Sequence, residues 1–255
     1  MHPGHPGKRR SAAGRYDPEG ALLAYRAWNA SEPFDMGQTT AAALGGRPLA
    51  ASQANGSLMR SSPLGIFAHA LPPADAAAVA RAESRLTHPH PACADSMAAY
   101  VLAVAHAIRT GAGPDDTYQA ALAWAKAEAV PAVADALSRA ASVAPVCDGE
   151  QMGWVLIALQ NAFFELLHAP SLEEGVVATV RRGGDTDTNA AITGALLGAV
   201  HGRDAVPRQW RQMVLSCRPV ASRAARPRPL PYWPADVYEL AERLLLAGRE
   251  APATA

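Results

Sequence analysis

Three observations predict an all-α fold for this chain. Alanine is abundant in most segments, and it has the highest intrinsic helix preference. Apolar residues recur at helical spacing, while the repeated Val-Ile-Thr alternation that marks strands is missing. Residues suited to helix starts stand ahead of these patterns, beginning with Asp17 and Pro18, an N-cap followed by a first-turn proline.

The first helix is therefore expected over residues 17–30. Further helical patterns cover 74–86, 92–110, 115–127, 130–141, 150–168, 171–181, 188–201 and 234–247. The segment "SCRPVASRAARPRPLPYWP" is too rich in proline and arginine for regular structure, so it is expected to wrap the surface ahead of the last helix. The organisation expected is one helical domain over residues 15–248, a disordered leader over 1–14 and a tail over 249–255. No internal repeat is evident.

The bulk numbers narrow the classes of function. A chain of 255 residues can bury a substantial core. The 23 basic and 23 acidic residues balance, which gives no sign of a nucleic-acid-binding surface. The apolar runs "WVLIAL" and "AAITGALLGAV" fall short of the roughly 18 residues of a spanning helix, so no membrane segment is expected. Cys93, Cys147 and Cys217 are odd in number and far apart, which argues against a disulfide framework or structural zinc and fits a cytoplasmic protein.

The strongest chemical signal is "RRGGDTDTNAAITGALLGAVHG", Arg181 to Gly202. Gly183 and Gly184 permit a sharp turn. Asp185, Asp187 and Thr188 then crowd two carboxylates and a hydroxyl into a helix start, an oxygen-donor set suited to Mg²⁺. The alternative is that Asp185 or Thr188 simply caps the helix. Behind them Ala190, Gly194, Gly198 and Gly202 form a small-residue face that a neighbouring helix can approach. Asp115, Asp116 and Thr117 in "PDDTYQA" are a second acidic cluster, which a capped, acidic first turn explains.

Weaker signals lie elsewhere. Asn55, Gly56 and Ser57 make a turn before a possible helix start, where free N–H groups would suit a diphosphate. Arg60 reads equally as a phosphate contact or a structural ion pair. Asp35 in "FDMGQTT" has the look of an Asx-turn or helix cap. His88 and His90 in "THPHPAC" lack further ligands at metal spacing and read as surface or capping histidines. Trp154 and Phe163 read as core, with adenine stacking the alternative. No "GxSxG" nucleophile motif is present.

Taken together these motifs resemble the ADP-ribosylglycohydrolases of the dinitrogenase reductase-activating type. The likeness rests on "GGDTDTNAAITGALLGAVHG", "FDMGQTT", "NGSLMRSSPLG", "THPHPAC" and "DGEQMGWVLIALQNAFFELLHA". It extends from Gly14 to the last helix. The resemblance implies an all-α hydrolase that binds two Mg²⁺ ions, sometimes Mn²⁺, and cleaves ADP-ribose from a modified protein side chain or small ADP-ribosyl compound. It implies Asp185, Asp187 and Thr188 as metal ligands, and Asn55, Gly56 and Ser57 as the diphosphate loop. Asp35 would contact the distal ribose and assist its ring opening, with Gln38 beside it and His88 near the ribose. Family members carry a further Thr-Asp-Asp segment and an acidic residue nearer the N-terminus, which this sequence lacks. An N-terminally truncated domain holding one weakly bound Mg²⁺ is therefore expected. An inactive remnant that still binds ADP-ribose is the alternative function, and a purely structural helical domain is a third.

Overall fold

A computed structural model describes residues 16–251. Twelve α-helices are present among them: α1 Pro18–Ala30, α2 Gln38–Leu44, α3 Ser62–Phe67, α4 Pro73–Arg85, α5 Pro91–Thr110, α6 Pro114–Glu128, α7 Pro131–Ala140, α8 Val155–His168, α9 Leu172–Arg181, α10 Thr186–His201, α11 Arg208–Ser216 and α12 Val237–Glu250. The described residues form no sheet; the one β-type pairing is an isolated antiparallel bridge between Ala54 and Trp154. The all-α expectation holds.

Local chemistry explains most boundaries. Helices α1, α4, α5, α6 and α7 all begin on a proline, whose fixed φ and missing N–H suit the first turn. Asp17 caps α1, its carboxylate accepting from the Gly20 amide at 3.0 Å. His90 caps α5, its ring nitrogen accepting from Ala92 N at 3.1 Å. Gly113, in extended conformation, stands at the N-cap of α6 with no side-chain capping hydrogen bond, and Asp115 and Asp116 occupy an exposed acidic first turn, so the acidic-turn part of the expectation holds and the side-chain cap does not.

Helix α5 is the central post. It is long and apolar enough by composition to cross a membrane, a property the sequence reading missed, and 78% of its most apolar window is buried among the other helices. One side joins a core with Tyr118 of α6, Leu137 of α7, Phe163 of α8 and Leu197 of α10. The other side joins a second core with Leu64 and Phe67 of α3, Ala77 of α4 and Leu244 of α12. Phe163 is fully buried in the first core, with its ring centroid 6.4 Å from that of Tyr118, so it packs rather than stacks a ligand.

Several expectations are corrected. Helix α8 starts at Val155 rather than residue 150, because the preceding residues form turns and the bridge to Ala54. The last helix runs Val237–Glu250 rather than the expected 234–247, the residues before it forming short 3₁₀ turns. The leader over 1–14 lies outside the described residues, as do the last four residues of the expected tail. The short helices α2, α3 and α11 are additional elements. The small face of α10 does pack closely: a Cβ on Gly194 would lie 3.2 Å from Val176 and one on Gly198 3.9 Å from Leu172. Gly202 takes no part in that contact and ends the helix at φ +80°.

Candidate active site

The site begins at the turn between α9 and α10. Gly184 has φ +68°, and a Cβ there would stand 1.8 Å from the Cys147 carbonyl oxygen, so only glycine lets the chain pass. The turn delivers Asp185 to the N-cap position of α10, yet its side chain makes no capping hydrogen bond. Instead one carboxylate oxygen accepts from Asn55 Nδ2 at 2.7 Å. Thr188 Oγ1 approaches Met59 Sδ at 3.9 Å. The side chains of Asp185 and Thr188 are thus turned toward the 55–60 segment, which the capping alternative does not explain.

Neither Asp185 nor Asp187 has a basic partner among the described residues. The nearest arginine with a defined role, Arg182, pairs with Glu165 and lies 5.0 Å over the Phe164 ring. Asp187 is exposed in the first turn of α10. One turn beyond Asp185, Asn189 is buried with both polar side-chain atoms unpartnered among the described residues. An orphaned buried amide group costs about 1–3 kcal/mol, which a water fixed there would offset. Two carboxylates at the positive end of a helix, a hydroxyl and a buried carboxamide suit a hydrated hard cation. Among the described residues no group of three or more His, Cys, Asp or Glu side chains gathers, around Asp185 and Asp187 included.

The 52–60 segment is held from three sides. Asn55 N donates to Gly153 O and Val155 N to Gln53 O, both at 2.9 Å. Trp154 Nε1 donates to Gln53 Oε1 at 2.9 Å, which makes that tryptophan a clamp on the segment. The Cys93 thiol donates to Ala54 O at 3.5 Å, and burial pushes its pKa up to about 12, so it stays a thiol. Asn55 itself is only 6% exposed.

Gly56, Met59 and Arg60 then line a cavity of about 340 Å³ shared with Tyr25, Trp28 and Asp35. Asp35 is exposed, and Tyr232 from the Pro- and Arg-rich segment lines the same cavity. Two larger cavities, of about 650 and 720 Å³, lie elsewhere; Trp154 lines the first, and neither holds a metal or ADP-ribose candidate, while a third, of about 420 Å³, adjoins the site through Trp28, Asp35 and Tyr232. Met59 joins the two halves, lining the cavity and touching Thr188.

Other sequence candidates fall as follows. Ser57 is fully buried and its hydroxyl accepts from Ser84 Oγ at 3.1 Å, so its side chain supports the turn rather than facing the cavity. Gln38 opens α2 and is exposed. His88 is corrected from a surface residue to one 1% exposed, with Nδ1 2.8 Å from Thr87 Oγ1. Burial, aided by the Arg60 charge, lowers its pKa to about 3, so the ring is neutral. Arg60 is chiefly structural: it donates to Thr87 Oγ1 at 2.7 Å, lies 3.7 Å from Glu83 and sits over the Tyr25 ring at 4.4 Å. Glu83, also met by the Tyr16 and Tyr25 hydroxyls, is a buried hub that sequence reasoning missed.

The same segment that carries Tyr232 holds the Asp35 loop. Arg228 donates to Ser31 O at 2.8 Å and to Ser31 Oγ at 2.9 Å, while Arg226 donates to Phe34 O at 2.7 Å. Trp233 Nε1 donates to Arg228 O at 2.7 Å. These contacts span more than 190 residues of sequence, beyond what local pattern can signal.

Comparison with known proteins places this arrangement. A 71-residue stretch is 35% identical to an ADP-ribosyl glycohydrolase of Acanthamoeba polyphaga mimivirus, covering 28% of this chain and 21% of that protein. A 42-residue stretch is 45% identical to human ADP-ribosylhydrolase ARH3, covering 16% of this chain and 12% of the relative. The matched stretches thus span about a fifth and an eighth of those relatives. The solved structure of an ADP-ribosylglycohydrolase-related protein complex superposes with a TM-score of 0.72 at 24% identity, over 96% of this chain and 78% of its own, and shares the fold. The sequence model for ADP-ribosylglycohydrolases matches residues 8–253, nearly the whole chain. This chain belongs to the ADP-ribosylglycohydrolase family.

Proposed function

We propose that the chain is an ADP-ribosyl hydrolase that depends on a divalent cation, Mg²⁺ or Mn²⁺, and takes an ADP-ribosylated protein or a small ADP-ribosyl compound as substrate. The observation that carries this reading is the convergence of Asp185 and Thr188 on the segment from which Gly56, Met59 and Arg60 line the Asp35 cavity. Asp185, Asp187 and Thr188 would hold the cation. When bound, such an ion supplies orientation of ribose hydroxyls and a more acidic water. The chain's own groups do the rest. The Gly56 and Ser57 backbone amides receive the diphosphate, Asn55 keeps Asp185 aimed at the cleft, and Asp35 faces the ribose as acid/base partner while the anomeric carbon gains oxocarbenium character.

A second reading, ADP-ribose binding without turnover, is favoured by one observation: among the described residues no group of three or more His, Cys, Asp or Glu side chains gathers. Calorimetry separates the two when paired with an assay of ADP-ribose release from modified arginine, serine and small acceptors. The hydrolase reading expects Mg²⁺-stimulated release from at least one substrate, lost in Asp185→Asn. Tight ADP-ribose binding with no release from any of them would support the binding protein instead.

A further inference from the structure

The Pro- and Arg-rich segment carries a charge that its grip on the Asp35 loop does not use up. Residues 216–233 hold four arginines, Arg218, Arg223, Arg226 and Arg228, and no Asp, Glu or Lys, in a chain whose 23 basic and 23 acidic residues balance. None of the four pairs with a carboxylate among the described residues; the ion pairs next in sequence join Asp204 to Arg203 and Arg211. Carbonyl oxygens and rings hold three of them instead. Arg218 donates to Leu215 O at 2.8 Å and lies 5.6 Å over the Trp233 ring. Arg226 and Arg228 donate to the Phe34 and Ser31 carbonyls, and Arg228 lies 4.9 Å over the Tyr232 ring. Arg223 is exposed and makes no side-chain hydrogen bond or ion pair among the described residues.

A carbonyl or a ring leaves the positive charge uncancelled. Each guanidinium has five N–H donors in one plane, so free edges remain that match a carboxylate. Arg228 N donates to Pro219 O at 2.8 Å, which closes this stretch into a loop and brings its two ends together. Like charges gathered in this way repel, and a partner bearing carboxylates relieves the repulsion.

The place of the patch says what such a partner is. Arg228, Tyr232 and Trp233 line the cavity of about 420 Å³ together with Phe34 and Asp35. That cavity shares Trp28, Asp35 and Tyr232 with the one that holds the ribose in the reading above. An acceptor attached to a ribose beside Asp35 therefore has this outer cavity as its neighbour. Phe34 in its wall and Leu230 beside Pro231 are 71% and 65% exposed, apolar side chains that a polypeptide can cover. A nucleic-acid backbone is matched by a longer basic track than four arginines on a neutral chain.

We propose that Arg218, Arg223, Arg226 and Arg228 form a docking rim for an acidic stretch of polypeptide flanking the ADP-ribosylated side chain, so that modified sites with neighbouring Asp or Glu are preferred. That the polypeptide carries ADP-ribose rests on the hydrolase reading; the affinity of the rim for acidic peptide does not.

Fluorescence anisotropy with the full chain tests the rim directly, using a labelled Glu/Leu peptide, a Gln/Leu peptide of the same length and a single-stranded RNA. At low salt the Glu/Leu peptide should bind about tenfold more tightly than the Gln/Leu peptide, the sum of a few exposed ion pairs, and the margin should shrink as salt rises. Arg218→Gln/Arg223→Gln leaves the contacts to the Asp35 loop in place and should cut the margin to about threefold, since two of the four charges remain. Arg218→Lys/Arg223→Lys, which keeps the charge, should retain most of it. Equal affinity for both peptides in the wild type overturns the proposal, and so does tighter binding of the RNA. A margin untouched by the Gln pair, or lost as fully in the Lys pair, overturns it as well. ADP-ribose release from the same peptides carrying a modified arginine then joins the rim to the site. Glu flanks should lower KM about tenfold with kcat unchanged, and equal KM values overturn the substrate half. If none of the peptides is hydrolysed, the hydrolase reading falls and the substrate half with it, while anisotropy still decides the rim.

Discussion

At the scale of single residues, His88 gives a pH signature with a definite sign. Unfolded, it takes up a proton near pH 6.5; folded, it stays neutral down to about pH 3. Between those values the unfolded state binds more protons, so this contribution to stability is fully present above pH 6.5 and is lost as pH falls toward 3. Melting temperatures measured from pH 7.5 to pH 5 should fall more steeply for wild type than for His88→Gln, which has no titrating ring. Parallel slopes would contradict the burial argument. Gly184 makes a second demand. Gly184→Ala sets a Cβ against the Cys147 carbonyl at a positive φ, and urea unfolding should register a loss of about 3 kcal/mol or more. A loss below about 1 kcal/mol would mean that the turn before Asp185 can relax. Of these residues, the sequence made Asp185 and the glycine pair visible through their crowding. It left His88 ambiguous, because burial and the Thr87 contact are set by distant parts of the chain.

At the scale of elements, legibility followed length and punctuation. Helices opened by proline or a capping residue and running ten residues or more were readable, as α5 and α9 illustrate. Helices α2, α3 and α11 were missed because six to nine residues carry too little periodicity, and their N-cap positions make no side-chain hydrogen bond. Helix α8 was drawn five residues too long because "EQMGW" reads as helical until the Ala54–Trp154 bridge is known. The Pro- and Arg-rich segment was rightly read as a surface wrap, but its purpose was hidden: it grips the Asp35 loop through Arg226 and Arg228. Around that loop, Glu32 adopts φ +53°, so the grip also restrains an unfavourable backbone conformation. Arg228→Ala should therefore speed amide exchange across residues 31–37 and cost about 1–2 kcal/mol of stability. Unchanged exchange there would show that the loop holds itself.

At the scale of the whole molecule, the helices converge on one arrangement: α10 brings its acidic start to the 55–60 segment, and the last irregular stretch lines the cavity beside Asp35. Composition, helical spacing and helix-start residues revealed the all-α class but could not place these parts together, because the contacts that join them are distant in sequence. The most direct test of the account is release of ADP-ribose from an ADP-ribosylated substrate, followed with Mg²⁺ and with a chelator, in wild type and Asp187→Asn. Asp187 is exposed and makes no side-chain hydrogen bond or ion pair among the described residues, so its neutral variant should fold normally, losing at most about 1 kcal/mol of favourable interaction with the helix dipole. The account predicts Mg²⁺-dependent release by wild type, abolished by the chelator and reduced at least about a hundredfold in the variant, the scale on which fixing a metal matters for catalysis. Release that is indifferent to the chelator, or equally fast in Asp187→Asn, would contradict it.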